Sequence, residues 1–359
     1  MNKEKKDITI LTIGDRSDYD SYQKSNYEKK SFLDNGFEYI TTNYAKVLKG
    51  KTPHVKTEKV VIFLFFPFSY WNKHIEHKNY KGVYGNHIFY QKFSRFWDIV
   101  EEKLKKHFAD KKILFINNPR VCAAYRDKLA VIRKLAELNI SQPQLHKISD
   151  IGEIQDRLAR GEKFFLKPQY GSMGKGITFL SESNWQTNFT FKNNKIISRK
   201  SDHGWEFNDV TGNHKFLKQL LKKDILVQAA VDPPILKGSK MDLRLYTFFG
   251  KAIYLYPRRN SPGKVTTNIS QGGKGAPSFL GILPGNLIKK AKEEASKVAN
   301  MLDISLAGID VIPDKSLKKV YVIDVNIFSG FPKRKTFNIT QVLANILSQL
   351  DDKGILPFK

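Results

Sequence analysis

Residues 164–180 read FFLKPQYGSMGKGITFL: an apolar run closed by Lys167 and Pro168, a loop with glycines at 171, 174 and 176, and a second apolar run. Short apolar runs on either side of a glycine loop read as strands, so the stretch must fold as strand, loop, strand. Two common phosphate-binding loops are thereby excluded. A P-loop needs four residues between its first glycine and Gly-Lys, then Ser or Thr and a helix. Here Gly171-Ser172-Met173-Gly174-Lys175-Gly176 is too short and runs into a strand. The dinucleotide fingerprint has GxGxxG spacing, whereas these glycines are spaced GxxGxG. What the residues permit is a flap, a hairpin tip whose glycines turn backbone N–H groups toward a polyphosphate while Lys167 reaches it as a point charge. An ordinary glycine-rich hairpin turn fits the same residues.

The chain of 359 residues is long enough for two or three domains with cores of their own. Its first third alternates strand and helix signals. ITILTIG (8–14) and VVIFLFF (60–66) are apolar runs of the buried parallel-strand kind, residues 89–107 carry apolar positions at helical spacing, and KILFINNP (112–119) is a strand stopped at Asn-Pro. Residues 127–140 read as an amphipathic helix with Leu129, Ile132, Leu135, Ala136 and Leu138 near one face, and 148–161 as a helix with Ser149 as N-cap and Gly161 as terminator. From residue 164 strands dominate, with hairpins about Asn193-Asn194, at Phe249-Gly250-Lys251 and over 307–326, a strand at 225–231, and helices at 214–223, 287–302 and 339–350. The fold class is α/β at the start and α+β beyond, divided as 1–120, 121–232 and 233–359.

Basic residues outnumber acidic ones, 61 to 35, for a net charge of +26. Such a field attracts anions, although lysines scattered along the whole chain also fit a general compositional preference. Cys122 is the only cysteine, which excludes an internal disulfide and a multi-cysteine zinc site; it reads as a small hydrophobe. The longest apolar run, 60–71, is too short to span a bilayer and contains Pro67. A cytoplasmic protein with neither a membrane nor nucleic acid as partner is the expectation. His74 and His77 are three apart among lysines and read as a solvated loop, not a zinc pair.

Gly308-Ile-Asp310 and Ile323-Asp324-Val-Asn326 fall on two strands of one predicted hairpin. Alternation puts Asp324 and Asn326 on one face, with Ile323 and Val325 on the other. If Asp310 comes opposite them, two carboxylates and an amide oxygen converge, an oxygen-only set suited to Mg2+ completed by nucleotide phosphates and water. Solvent-facing strand residues are the plain alternative, but aspartates flanked by buried neighbours are costly unless they meet a cation. Asp242 and Arg244, two apart on another strand, and Arg258 and Arg259 on its return could face the same cleft, where positive charge would steady a transferred phosphate; surface salt bridges fit them as well.

Taken in order, RDK (126–128), LKPQYGSMGKGI (166–177), LVQAAV (226–231), DLR (242–244), TTNISQGG (266–273), GID (308–310) and VIDVN (322–326) resemble the ATP-grasp superfamily. Within it the set is similar to the ligases of the ribosomal-protein glutamate ligase and glutathione synthetase kind. The long segment after the flap with its Trp205, DLR and TTNISQGG also resemble the YheC/YheD spore-coat-associated group. The likeness spans roughly 112–350, with the preceding α/β region fitting a pre-ATP-grasp domain in outline. The resemblance implies two subdomains gripping ATP. Lys128 and Lys167 would be phosphate lysines, Gly171, Ser172, Met173, Gly174, Lys175 and Gly176 the triphosphate cap, and Gln228 with the backbone of Ala229 and Ala230 the adenine hinge. Arg244 with Arg258 or Arg259 would contact the γ-phosphate, Asp310, Asp324 and Asn326 would bind Mg2+, and Asn268 would face the substrate. Three departures stand out: Asp324 where such ligases carry glutamate, Gln-Ala-Ala in the hinge, and IFSGFP after Asn326.

ATP-grasp chemistry needs no protein nucleophile, and no GxSxG is present. The implied activity is an ATP-dependent carboxylate–amine ligase working through an acyl-phosphate on small-molecule or peptide, anionic substrates. A small-molecule kinase of the inositol-polyphosphate type and a non-catalytic spore-coat-type binding protein are the alternatives.

Overall fold

Six consecutive buried residues, Ile8–Ile13, form β1 at the middle of a four-stranded parallel sheet, joined by β2 (Glu38–Thr42), β3 (Lys59–Leu64) and β4 (Lys112–Ile116) in the order β2-β1-β3-β4. A parallel strand covered on both faces has no solvent side, which is why these runs are continuously apolar. One face packs against the helix His87–His107, whose Phe89, Phe93, Trp97, Val100 and Leu104 recur at helical spacing and whose N-cap, Asn86, accepts from the Phe89 N–H. The other face meets Leu343, Ala344 and Leu347 of the C-terminal helix Ile339–Asp352. The computed structural model describes residues 4–14, 29–76, 82–199 and 204–359. His74 is exposed on a single π-helical turn, tilted against Tyr70, and His77 lies outside the described residues.

Every described pairing of the second sheet is antiparallel: β5 (Leu145–His146), β6 (Phe164–Pro168), β7 (Thr178–Leu180), β8 (Trp185–Thr187), β11 (Asn208–Asp209) and β12 (Ile225–Ala229) run in the order β11-β8-β7-β6-β12-β5. A separate hairpin, β9 (Thr190–Lys192) and β10 (Lys195–Ile197), turns at Asn193 and Asn194, both at positive φ. The third sheet is built of β13 (Ile235–Leu236), β14 (Ser239–Phe248), β15 (Lys251–Asn260), β16 (Lys274–Gly275), β17 (Leu306–Pro313) and β18 (Val320–Asn326), in the order β16-β15-β14-β17-β18 with β13 on β14. The β14–β15 turn falls at Phe249 and Gly250, again with both φ values positive, as a two-residue hairpin requires. Behind this sheet the helix Gly285–Met301 buries Ala291, Ala295 and Val298 against Met241, Leu243 and Leu245.

Three local expectations are corrected. Asp150, not Ser149, caps the helix Ile151–Ala159, because its carboxylate accepts from the Glu153 N–H. The helix expected over 127–140 runs Lys128–Glu137 and buries Val131 and Leu135, one turn apart, in place of the broader face predicted. The third concerns Ile323 and belongs to the site. Cys122 is buried, and burial pushes its thiol pKa up, in keeping with an apolar role. No helix among the described residues is long and apolar enough to cross a membrane.

Candidate active site

Along β6, Phe164 and Leu166 point into the core, so Phe165 and Lys167 face the space between the second and third sheets. Phe179, opposite Phe165 in the β6–β7 register, adds a second ring at a centroid distance of 5.2 Å. From the third sheet Asp242, Asp310, Ile312, Ile323 and Asp324 face the same space, a cavity of about 410 Å3. Phe165, Ile177, Phe179, Ile312 and Ile323 give it apolar walls, while Lys128, Lys167, Lys175, Asp310 and Asp324 supply charge. Lys167 therefore shares one cavity with both aspartates.

Strand register explains the charged group. Arg244 stands opposite Asp310, and Asp310 opposite Asp324, forming one row across β14, β17 and β18. Arg244 grips Asp310 with both ends of its fork, Nε to Oδ1 at 2.6 Å and Nη2 to Oδ2 at 2.7 Å. Arg258 reaches the same carboxylate at 3.2 Å and donates from Nε to Asp242 at 2.8 Å, with a second bond from Nη2 to Asp242. At the other end of the row, Lys128 Nζ donates to Asp324 Oδ1 at 2.5 Å. Lys128 is delivered there by its helix start: Asp127 accepts from the Leu129 N–H and from Gln169 Nε2, and the Lys128 N–H donates to the Gln169 carbonyl. Burial raises the Asp310 pKa, but the opposing charges of Arg244 and Arg258 outweigh it and hold the carboxyl below its usual range.

Burial pulls the Lys167 pKa down to about 8, the Asp324 carboxylate opposing and Lys128 adding to the fall. An anion bound beside this ammonium raises its pKa again. Binding of a polyphosphate is therefore expected to take up a proton between pH 8 and about 10, with affinity complete below pH 8 and lost as pH rises through the bound-state value. Calorimetry of ATP binding in buffers of different ionisation enthalpy measures this uptake, and Lys167→Ala should abolish it while weakening ATP about 10- to 100-fold.

The flap is only partly as expected. Gly171, Ser172, Gly174 and Lys175 line the cavity, whereas Met173 sits 36% exposed at the tip and Gly176 packs below it. The N–H groups of Gly171, Ser172 and Lys175 donate to Pro168 O, Tyr84 Oη and Ser172 O, while those of Met173, Gly174 and Gly176 have no backbone acceptor among the described residues. The Met173 carbonyl accepts from Ser270 Oγ at 3.0 Å, so the flap meets the 266–273 loop, where Asn268 lines the cavity next to Gly174. Gly176 has φ +72°, and a Cβ there would lie 2.6 Å from Phe189 and Pro168. Gly176→Ala should lower the melting temperature through the left-handed backbone alone, about 1–2 kcal/mol, with the clash adding to it.

Several predicted residues are placed differently. Arg259 follows Arg258 on β15 and so faces the other way, bonding Ser239 Oγ; it does not join the row. Arg258 is 3% exposed and does not line the cavity, and its guanidinium is held by Asp242 and Asp310. Gln228 is buried outside the main cavity, and the N–H groups of Ala229 and Ala230 donate to Gln144 O and Lys163 O; both alanines line the cavity, and Val231 follows them there. Asn326 does not line the cavity but donates to Asp310 Oδ2 at 3.3 Å. Ile323 is the extra residue of a β-bulge, since Asp310 pairs with Asp324 but Val311 with Val322; the bulge resets the pleat and turns Ile323 into the cavity beside Asp324. Phe165, Phe179 and Ile312 went unmarked in the sequence, although alternation from Lys167 and Asp310 would have found Phe165 and Ile312.

Among the described residues no group of three or more His, Cys, Asp or Glu side chains could hold a metal. Asp310 and Asp324, facing each other across β17 and β18 and both reaching the cavity, still fit a small hard cation that takes few protein oxygens and fills its shell from phosphates and water.

Two largely antiparallel sheets closing on one cavity, the first bringing a glycine flap and a lysine and the second carboxylates and an arginine, define an ATP-grasp protein. Residues 112–350 match the family model described as YheC/D like ATP-grasp, and the chain belongs to that family. None of the curated proteins matches the sequence. Among solved structures, the RiPP-associated ATP-grasp ligase of Chryseobacterium gregarium, in complex with ADP and a leader and core peptide, is 11% identical with a TM-score of 0.57, over 95% of this chain and 96% of that one. The macrocyclase MdnC of Microcystis aeruginosa, bound with its precursor peptide MdnA, is 10% identical with a TM-score of 0.56, over 95% and 99%. The ATP-grasp ligase PsnB, complexed with a phosphomimetic variant of its minimal precursor, Mg and ADP, is 11% identical with a TM-score of 0.56, over 97% and 98%. At these identities the likeness is one of fold.

Proposed function

We propose that this protein is an ATP- and Mg2+-dependent carbon–nitrogen ligase that joins a carboxylate to an amine through an acyl-phosphate, releasing ADP and phosphate. The observation that carries the reading is the row Arg244–Asp310–Asp324, whose two aspartates line the cavity together with Lys128 and Lys167, beside an apolar stretch of wall made by Phe165, Ile177, Phe179, Ile312 and Ile323. Apolar walls suit a base and the charged group a triphosphate. That related folds have been solved with ADP, Mg and peptides supports the nucleotide, the metal and a peptide-like substrate.

In this reading Phe165, Phe179, Ile312 and Ile323 bracket the adenine, with the 229–231 backbone at its edge. Lys128, Lys167 and the flap-tip N–H groups hold the phosphates. Asp310 and Asp324, with Asn326 behind them, hold Mg2+, which when bound neutralises phosphate charge. Arg244 meets the charge that develops as the phosphoryl group moves, and Asn268 faces the acceptor. No protein nucleophile is required, because positioning and electrostatics supply the catalysis. Residues 1–120 serve as the preceding domain, and 121–232 and 233–359 as the two gripping subdomains, acting in the cytoplasm.

The test is incubation with Mg-ATP and pooled amino acids and peptides, read by mass spectrometry. A condensed product short of one water, with ADP and phosphate, is expected. A product heavier by one phosphate would make the protein a kinase, and absence of substrate-dependent ADP would leave a binding protein.

A further inference from the structure

Alternation puts Lys240, Asp242 and Arg244 on one face of β14; Lys240 and Asp242 line the cavity, and Arg244 grips Asp310, which lines it too. Two of them have partners: Arg244 holds Asp310 and Asp242 holds Arg258. Among the described residues, Lys240 forms no ion pair. It is only 8% exposed, it lines the cavity, and its ammonium donates to the Lys264 carbonyl. Asp242 offsets the Lys240 charge only in part, because both carboxylate oxygens already accept from Arg258. Burial depresses the Lys240 pKa to about 8, with Asp242 opposing.

A second, independent observation lies alongside. Asn260, opposite Lys240 in the β14–β15 register, donates to the Thr266 carbonyl and so brings the 260–267 loop over Lys240. Thr266 lines the cavity, and its hydroxyl is buried without a partner among the described residues. Lys264, on the same loop, also lines the cavity. A buried ammonium without a carboxylate of its own and an unused buried hydroxyl on one stretch of wall are costly to hold without an anion, and the exposed Lys264 adds positive charge beside them. At 3.3 Å per residue, Lys240 lies roughly 13 Å along the strand from Arg244, too far for one phosphate to serve both.

We propose that Lys240, Lys264 and Thr266 form an anion subsite that takes a carboxylate or phosphate group of the substrate, distinct from the triphosphate, so that the substrate carries a second anionic group besides the carboxylate that reacts. The proposal rests on the ligase reading for the position of the triphosphate but not for the anion site itself. The subsite selects dianionic over monoanionic substrates by leaving Lys240 unpaired when the second charge is missing.

Inorganic phosphate, and separately succinate, titrated calorimetrically into the full chain with and without saturating Mg-AMPPNP tests it. Phosphate or succinate should bind the AMPPNP-loaded protein, about 10- to 100-fold more weakly in Lys240→Met and within a few-fold of wild type in Lys240→Arg. Lys289→Met, an exposed lysine on another surface, should match wild type. Equal binding to Lys240→Met would assign the effect to the general positive field and overturn the proposal. Anion binding that depends on Lys240 but vanishes once AMPPNP is bound would give the subsite to the nucleotide, which also overturns it. If AMPPNP itself fails to bind, the ligase reading falls, and the Lys240 dependence in the free protein still decides the anion site. Lys240→Gln replaces Lys240→Met if the latter does not fold. The tighter of the two probes tells whether the group is a phosphate or a carboxylate.

Discussion

Replacing Arg244 by alanine is expected to lower turnover by about 100- to 1,000-fold while ATP binding changes far less. Asp310 keeps Arg258 at 3.2 Å, so the carboxylate remains compensated and the sheet should hold. What disappears is the guanidinium that grips Asp310, a carboxylate lining the cavity, and that in the ligase reading meets the charge on the moving phosphoryl group. Arg244→Lys should recover little, since a lysine cannot reproduce the two-point grip on Asp310 at 2.6 and 2.7 Å. Steady-state kinetics beside direct ATP titration separates the two effects. Turnover within tenfold of wild type would remove Arg244 from the chemistry, and an equal loss of ATP affinity would make it a ground-state binder.

Asp242→Ala should produce the largest loss of stability. Arg258 is 3% exposed, and Asp242 accepts both of its shortest bonds. Taking Asp242 away leaves the buried Arg258 with only its longer contact to Asp310, a carboxylate that Arg244 already grips, at a cost of about 3–5 kcal/mol. Because Arg258 also supports Asp310, the row should loosen and activity fall with stability. Thermal unfolding reads the first effect, and a melting temperature within one or two degrees of wild type would contradict the account. The linked pH dependence has a definite sign. The Asp310 carboxyl is depressed in the folded chain, so its pairing contributes fully above the unfolded value near pH 4 and is lost as pH falls through the lower folded value. Acid unfolding should therefore begin below about pH 4 and shift upward when Arg244 is removed.

The central elements were legible because each depends on local pattern. The glycine flap follows from apolar runs on either side of three glycines, and the hairpins at Asn193-Asn194 and Phe249-Gly250 follow from turn chemistry. Asp310, Asp324 and Lys167 could be marked because charged residues on otherwise apolar strands are conspicuous. The misplaced residues share one cause. Arg258 and Arg259 are adjacent, and only pairing tells which faces inward; Ile323 was assigned by alternation that a single bulge overturned. That the hinge N–H groups of Ala229 and Ala230 pair with Gln144 and Lys163 depends on strand neighbours far away in sequence.

Residue order alone determined the kinds of element, the strand–loop–strand flap and which charged groups would have to be answered by partners, since these follow from period, turn residues and the cost of burying charge. Which charges answer which was decided only in three dimensions. Arg244 meets Asp310 across 66 positions and Lys128 meets Asp324 across 196, and strand register, set by core burial on the far face, chooses those pairs.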